Sequence, residues 1–381
     1  MYVNAGVLCP GDGEVKVRLI LTGGGTGGHI YPALALGRYI KKVNPGADIL
    51  FVGAQGGLEE RIVPQAGFAM KTLPVKGIPR RLSPQLFKAF TLLGGSLINA
   101  TKILEDFGPD FVVGTGGYAA APIIMASIFK GRKFILHEQN VIPGVTNRFL
   151  APWAYRVCLS FPSSARYFFR RANLVTTGNP RASEVGRFEK STAREMLGME
   201  KDLPLVLAVG GSRGALKLNE SMVDFLAGSA GNKRLQVLYI TGDIYYEGIL
   251  ADLEARGLLE KYGHRLKVQS FQPEMPLCMA AADLIITRAG ATTLAEITAL
   301  GLPAIIVPSP NVVHNHQLLN ARELAEQGAA ELIEEKDLNG NVLGNYIEDL
   351  LNSPGKLANL QKNSKKIAFP QAAENIYRLM H

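Results

Sequence analysis

The apolar residues of this chain fall into short continuous runs rather than long alternating ones. Val15–Leu21 is rich in β-branched residues and leucine, and it stops abruptly at Gly23-Gly24-Gly25-Thr26-Gly27-Gly28. In His29–Lys42 the period changes: Ala33, Leu34, Gly37 and Ile40 recur on one side of a helix. Strand, glycine turn and helix are predicted in that order. Further strands are expected at Ile49–Gly53, Phe111–Gly114 and Phe134–Leu136, with helical material between them. Strands apolar on both faces that alternate with helices predict a parallel sheet covered on both sides.

At Asp202-Leu203-Pro204 the pattern restarts. Leu205–Val209 reads as a buried strand, Gly210-Gly211-Ser212-Arg213-Gly214 as a second glycine loop and Ala215–Leu226 as a helix. Strands at Gln236–Thr241, Leu266–Phe271, Leu284–Thr287 and Ala304–Val307 complete the set. The expected fold class is α/β, with two doubly wound Rossmann-like parallel-sheet domains facing across a cleft at the carboxyl ends of both sheets. The boundary is placed near Thr177-Gly178-Asn179-Pro180, giving domains at 1–178 and 179–366.

Composition narrows the class. With 381 residues, 47% of them apolar and 19% charged, the chain can fill two cores and is not a disordered solvating polymer. Cys9, Cys158 and Cys278 are odd in number and far apart, which excludes a disulfide framework or zinc knuckle and predicts a reducing cytosol. The longest apolar run, Ala119–Phe129, is well short of the roughly 18–20 residues of a spanning helix. Met1–Glu14 lacks the basic start and apolar core of a secretory signal and reads as a frayed extension. The charge is uneven: residues 1–180 carry 20 Lys and Arg against 9 Asp and Glu, while the remainder carries 21 against 24. The first half is expected to seek an anionic partner, and the second to hold an anion by local chemistry.

Candidate chemistry follows from the turns. Gly23-x-Gly25-x-x-Gly28 has the dinucleotide spacing, but the next strand ends at Gly53 with no acidic residue for a ribose, which argues against NAD. What remains is a set of backbone N–H groups at a helix N-terminus, suited to a phosphate or diphosphate. His29 at its lip can be structural or catalytic, and both readings stay open here. Ser212 and Arg213 beside free amides suggest a second anion cradle. Leu284–Thr287 runs into Arg288-Ala289-Gly290-Ala291-Thr292-Thr293, another helix start, with Glu296 placed either for a ribose diol or as a capping partner of Thr293. The amide-bearing segments His137-Glu138-Gln139-Asn140 and His314-Asn315-His316-Gln317 suit sugar hydroxyls and an acetamido group. No third ligand accompanies the two histidines at suitable spacing, and Asp-x-Asp is absent, so no metal is expected.

One more segment stands out. Lys76-Gly77-Ile78-Pro79-Arg80-Arg81-Leu82, followed by Leu86, Phe87, Lys88 and Phe90, sets bulky apolar residues beside four cations. A packed helix would account for the apolar part. The basic rim favours a shallow contact with anionic phospholipid through Ile78, Arg80, Arg81, Leu82, Phe87 and Lys88. Nucleic acid is not expected, because neither a recognition-helix pattern nor a stacking platform is present.

Taken in order, Gly24–His29, Gly114–Tyr118, His137–Asn140, Thr177–Pro180, Gly210–Ser212 and Arg288–Ala291 closely resemble the motifs of the MurG family, the UDP-N-acetylglucosamine–lipid I N-acetylglucosaminyltransferases of bacterial peptidoglycan synthesis. The match runs from about Val17 to the C-terminal segment. The resemblance implies a GT-B fold and an inverting, metal-independent transfer of GlcNAc without a cofactor. The acceptor would be the 4-hydroxyl of lipid-linked MurNAc and the product lipid II. It also implies a peripheral place on the cytoplasmic face of the cell membrane, a C-terminal segment 367–381 returning to the first domain, and cell-wall and division proteins as further partners.

Carried over by motif, the donor contacts would be Thr26, Gly27, Gly28, Asn140, Arg181, Ser212, Gln272, Arg288, Gly290, Ala291, Thr292, Thr293, Glu296, Gln317 and Asn320. The acceptor diphosphate would face Gly25, Thr26, Gly27, Gly116, Gly117 and Tyr118. His29 is expected to be the general base, with Glu138 in reserve. Arg181 follows Pro180 one residue earlier than the corresponding arginine of some relatives. The readings that compete are another GT-B enzyme with a lipid acceptor, a UDP-GlcNAc 2-epimerase, and a UDP-sugar sensor without catalysis.

Overall fold

The computed structural model describes residues 17–75, 84–211, 214–229, 231–232, 234–312 and 315–381, and of residues 84–93 the helical backbone only. The first part of the chain builds a seven-stranded parallel sheet from β1 (Arg18–Thr22), β2 (Asp48–Ala54), β3 (Ala69–Leu73), β4 (Phe111–Gly114), β5 (Phe134–Glu138), β6 (Arg156–Leu159) and β7 (Leu174–Thr176). Its order is β3-β2-β1-β4-β5-β6-β7. The intervening helices are α1 (Gly27–Val43), α2 (Glu59–Gln65), α3 (Pro84–Phe107), α4 (Ala121–Phe129) and α5 (Val145–Leu150).

After α6 (Lys190–Met196), a six-stranded parallel sheet follows: β8 (Leu205–Val209), β9 (Gln236–Ile240), β10 (Leu266–Gln269), β11 (Leu284–Thr287), β12 (Ala304–Ile306) and β13 (Glu331–Leu332). Its order is β10-β9-β8-β11-β12-β13. The helices here are α7 (Leu216–Gly228), α8 (Tyr246–Ala255), α9 (Leu258–Tyr262), α10 (Met275–Ala281), α11 (Ala291–Leu300), α12 (His316–Glu326), α13 (Gly340–Leu351), α14 (Pro354–Lys366) and α15 (Ala372–Arg378).

Register places the loops. Thr22 of β1 lies level with Gly114 of β4, so Gly23–Gly28 and Thr115–Tyr118 leave the sheet side by side. The strand order reverses between these two, which opens a crevice at their carboxyl ends. In the second sheet Val209 is level with Thr287, and the two loops after β8 and β11 emerge together in the same way. Both sheets are apolar on both faces. Leu19 and Leu21 pack with Ile30 and Leu34 of α1, while Ile20 packs on the opposite side with Ile123 and Leu136. Each such fully buried Leu or Ile contributes about 1.5–3 kcal/mol.

Sequence periodicity located the central strands but not β3, β6, β7 and β13. Three of these four are the sheet edges β3, β7 and β13. They are short and half exposed, and Ala69-Met70-Lys71-Thr72-Leu73 carries no clear apolar period. Edge strands need fewer buried side chains, so they leave a weaker trace. Among the described residues no helix is long and apolar enough to cross a membrane.

The connection between the sheets is a short turn, Pro180–Ser183, packed against α1, α11 and α15. Asn179 opens it, its Oδ1 accepting a hydrogen bond from Arg181 N at 3.1 Å. α15 lies on α1, and Ala373, Ile376 and Met380 belong to the same buried cluster as Leu19 and Leu34. Gly178 just before the turn has φ +80°, and a Cβ there would stand 2.1 Å from the Cβ of Phe369. The linker and the returning C-terminal segment therefore touch through a glycine that no other residue could replace without displacing one of them.

Candidate active site

His29 sits in the first turn of α1, partly exposed. Its Nδ1 lies 2.9 Å from the carbonyl oxygen of Thr115 and 3.2 Å from Oε1 of Gln139. Thr115 returns the contact, with Oγ1 donating to the His29 carbonyl at 2.7 Å. The imidazole rests against the backbone of Gly116 and Gly117. A Cβ on Gly117, at φ +81°, would come 2.2 Å from the Gly24 oxygen. The two glycine loops are thus locked together around the histidine, and its Nε2 has no hydrogen-bond partner among the described residues.

The expected acceptor loop is assembled as follows. Gly25, Thr26, Gly27 and Gly28 form the lip, with Thr26 as N-cap residue, and Tyr118 lies over Gly25, 36% exposed. The first-turn amides of Gly27 and Gly28 have no acceptor within the helix. Gly25 differs: its N–H is taken by Oε2 of Glu59 at 3.1 Å, while Oε1 of the same carboxylate accepts Ala54 N at 3.0 Å. Glu59 is buried under the loop. Sequence reading missed it, because nothing in Gly57-Leu58-Glu59-Glu60 marks one glutamate as internal.

Behind this lip, His137–Asn140 is held by hydrogen bonds of its own. Glu138 is buried; Oε1 accepts Asn140 N at 3.0 Å, and Oε2 accepts Gly144 N at 3.0 Å and Asn147 Nδ2 at 2.8 Å. Its geometry is that of a group shaping the loop between β5 and α5. His137 is fully buried, with Nε2 3.0 Å from the Gly178 oxygen, and burial pushes its pKa from 6.5 down to about 4. It is a neutral imidazole at neutral pH.

The opposite wall is the start of α11. Gly290 is the N-cap residue, and Ala291, Thr292 and Thr293 supply first-turn amides that the helix does not use. Oγ1 of Thr292 is buried without a partner. Asn320 of α12 is buried and bridges the walls: Oδ1 accepts Val141 N at 2.9 Å, and Nδ2 donates to Asn140 Oδ1 at 3.1 Å. Gln317 accepts Ser309 N at 2.8 Å, and Gln272 closes the turn before α10 by accepting Glu274 N at 3.1 Å.

The two expected arginines are engaged in ion pairs. Arg288 pairs with Glu335 and donates to the Val307 oxygen at 3.1 Å. Arg181 donates from Nε and Nη2 to Oε1 of Glu296, at 2.8 and 2.5 Å, and pairs with Glu184, which in turn accepts from Arg38 at 3.0 Å. The Tyr31 ring faces the Arg181 guanidinium at 5.6 Å. Two carboxylates raise the Arg181 pKa against its burial, while burial pushes the Glu296 carboxyl up against the pull of Arg181. Oε2 of Glu296 makes no hydrogen bond among the described residues.

Ser212, Ile78, Arg80, Arg81 and Leu82 lie outside the described residues, as do the side chains of Phe87 and Lys88. A different apolar surface is described on α5 and the turn after it. Val145, Phe149 and Trp153 are 74%, 64% and 55% exposed, Phe149 and Trp153 sit with ring centroids 5.9 Å apart, and Arg148 directly precedes Phe149 in sequence. The signal was a Phe-x-x-x-Trp spacing at one helical turn, masked by the apolar residues around it. Cys158 and Cys278 are buried, free thiols, both pushed up to about 12 by burial.

Comparison with known proteins assigns both halves. Residues 19–159 match the glycosyltransferase family 28 N-terminal domain, and residues 205–376 the glycosyltransferase family 28 C-terminal domain. The chain is 40% identical over 365 residues to a protein of Natranaerobius thermophilus named UDP-N-acetylglucosamine–N-acetylmuramyl-(pentapeptide) pyrophosphoryl-undecaprenol N-acetylglucosamine transferase, covering 96% of this chain and 99% of that one. It is 43% identical over 368 residues to the protein of the same name from Caldanaerobacter subterraneus, with 96% and 99% covered. Among solved structures it is similar to Acinetobacter baumannii MurG, with a TM-score of 0.75, 26% identity, and 96% and 99% of the two chains covered. A Neisseria meningitidis UDP-GlcNAc 2-epimerase shares the fold at a TM-score of 0.68 and 14% identity, with 96% and 99% covered.

Proposed function

The chain belongs to the MurG family of glycosyltransferase family 28, and from that premise we propose how its cleft carries out the transfer. It is a UDP-GlcNAc-dependent hexosyltransferase that moves GlcNAc onto the MurNAc of lipid I and yields lipid II. Our reading places the donor diphosphate at the α11 start, on the amides of Ala291, Thr292 and Thr293, with the orphaned Thr292 hydroxyl as a further donor. Glu296 faces the ribose through Oε2, and Asn140, Gln317 and Asn320 surround the sugar. The acceptor diphosphate lies on the α1 start, over Gly27 and Gly28.

The chemistry is a single inverting displacement. The MurNAc 4-oxygen forms a bond to the anomeric carbon as the bond from that carbon to the UDP phosphate oxygen breaks, through an oxocarbenium-like state. The hydroxyl proton passes to Nε2 of His29, and the leaving diphosphate takes its charge onto the α11 amides. The observation that carries this reading is the histidine itself: Nδ1 is anchored inward on Thr115, and Nε2, beside the acceptor loop, has no hydrogen-bond partner among the described residues. The carboxylate of Glu138 is occupied by donors of Asn140 and Gly144 in its own loop and of Asn147 on α5, which favours His29 over Glu138 as base.

The enzyme works at a membrane because its acceptor is a membrane lipid. We place it peripherally on the cytoplasmic face, with anionic phospholipid against the basic first domain, through Lys76–Leu93 and the Phe149–Trp153 surface; cell-wall and division proteins are further partners in this reading. Radiolabelled UDP-GlcNAc with a soluble lipid I analogue tests the reaction. Disaccharide with inverted anomeric configuration is expected. UDP-ManNAc as the sole product would replace this reading with an epimerase, and binding without product would replace it with a sensor.

A further inference from the structure

We propose that Gln139, backed by His137, is a positioning residue that fixes which ring nitrogen of His29 is free to take a proton. The inference rests on the reading of His29 as the base, and it follows from counting donors and acceptors.

The Thr115 carbonyl oxygen can only accept. It lies 2.5 Å from Nε2 of Gln139 and 2.9 Å from Nδ1 of His29, so both of those nitrogens carry hydrogen. The amide of Gln139 therefore has its NH2 end at Thr115 and its Oε1 end 3.2 Å from His29 Nδ1, as a second acceptor for the same hydrogen. Rotating the amide by half a turn would set two oxygens against each other. The second hydrogen of Gln139 Nε2 meets Nδ1 of His137 at 3.0 Å, which must then be bare. The hydrogen of His137 is accordingly on Nε2, donating to the Gly178 oxygen at 3.0 Å. This assignment satisfies the short contacts of Thr115, Gln139 and both rings, and leaves Ser160 Oγ, 3.4 Å from His137 Nε2, as a longer second acceptor for the same hydrogen.

The consequence at the reacting end is specific. In a neutral histidine the nitrogen that carries the proton is decided by the bond the other nitrogen makes. With hydrogen held on Nδ1 by two oxygens, the lone pair is on Nε2, where a hydroxyl proton can be received. Once it arrives, the imidazolium keeps Nδ1–H between the Thr115 and Gln139 oxygens, which offset its charge. Burial supports the far end: a His137 that stays neutral keeps its bare nitrogen toward Gln139. The relay ends on Gly178, so the base is linked to the segment that joins the two domains.

The test is a long-range 1H–15N spectrum of the full chain labelled with 15N-histidine, recorded above the titration range of the ring. The His29 signals are assigned by their loss in His29→Asn. The wild type should show Nδ1–H and a bare Nε2. Gln139→Met, similar in size and without a hydrogen-bonding amide, leaves the Thr115 oxygen as the one acceptor for Nδ1–H and frees that oxygen from the Gln139 NH2; it should admit the Nε2–H tautomer, with turnover lower by about two- to tenfold and UDP-GlcNAc binding retained. An Nε2–H wild type, or a Gln139→Met protein that binds UDP-GlcNAc with Nδ1–H intact, overturns the proposal. If Gln139→Met does not fold, the wild-type spectrum still decides, because Nε2–H on His29, or Nδ1–H on His137, overturns it. A tautomer shift with unchanged turnover supports the relay and removes His29 from proton transfer.

Discussion

Arg181 and Glu296, 115 residues apart, meet through two hydrogen bonds onto a single carboxylate oxygen, Nε at 2.8 Å and Nη2 at 2.5 Å. Both side chains are almost wholly out of solvent, and one belongs to the linker while the other belongs to α11. Removing one partner strands the other. Arg181→Met should lower stability by about 3–5 kcal/mol, and adding Glu296→Gln should recover much of that loss. Urea unfolding of the two single variants and the double variant checks it; strictly additive losses would show that the pair is not coupled.

His29 and Glu138 should fail differently. His29→Gln should cut turnover by about a hundredfold or more while UDP-GlcNAc affinity and unfolding midpoint stay near the wild type. Both oxygens of Glu138 face donors, so in Glu138→Gln the NH2 must oppose either Asn140 N or the pair Gly144 N and Asn147 Nδ2, and the fold should be destabilised by about 1–3 kcal/mol. Steady-state kinetics paired with thermal unfolding separate the two outcomes. A stable Glu138→Gln protein with no turnover would reassign the base.

Acid should weaken the fold through His137. Its pKa is about 4 in the folded protein, against 6.5 ordinarily. Below pH 6.5 an unfolded chain takes up a proton that the folded one refuses. The stability it contributes is therefore complete above pH 6.5 and is lost as the pH falls toward 4, by on the order of 3 kcal/mol. Urea midpoints at a series of pH values should slope downward over that window, and a neutral replacement such as His137→Asn should flatten the slope.

Trp153 is the sole tryptophan of the chain and is 55% exposed beside Phe149, so it reports on its own surface. Vesicles containing anionic phospholipid should shift its emission to the blue, and salt should reverse the shift. Phe149→Ser should weaken vesicle binding without altering UDP-GlcNAc affinity, and charge reversal at Arg80, Arg81 and Lys88 should do the same. Unchanged emission on sedimenting vesicles would exclude α5 from the contact.

The sheets and their glycine loops were legible because both-face burial forces continuous apolar runs and tight turns force glycine. Leu205–Val209 and Leu284–Thr287 were read to the residue. The motif segments likewise announced a cleft. What the sequence could not express is pairing at a distance: His29 finds Thr115 and Gln139 after 86 and 110 residues, and Glu59 reaches back under Gly25. Arg181 and Arg288 are expected among the donor contacts with no carboxylate assigned to them: Glu184 and Glu335 carry no mark in the sequence, and Glu296 reads toward a ribose or a helix cap and not toward an arginine.

The return of α15 to the first domain has a mechanical meaning. The backbone passes between the domains twice, once at Pro180–Ser183 and once between α14 and α15, and Gly178 brings the two passages into contact at Phe369. A single strand would act as a swivel, free to twist and bend in any direction. Two adjacent passages of backbone would instead resist twist and sideways shear, as the paired leaves of a door hinge do, and leave one swing about the Gly178–Phe369 contact. His29 and the α11 start would then meet along the same arc at every turnover.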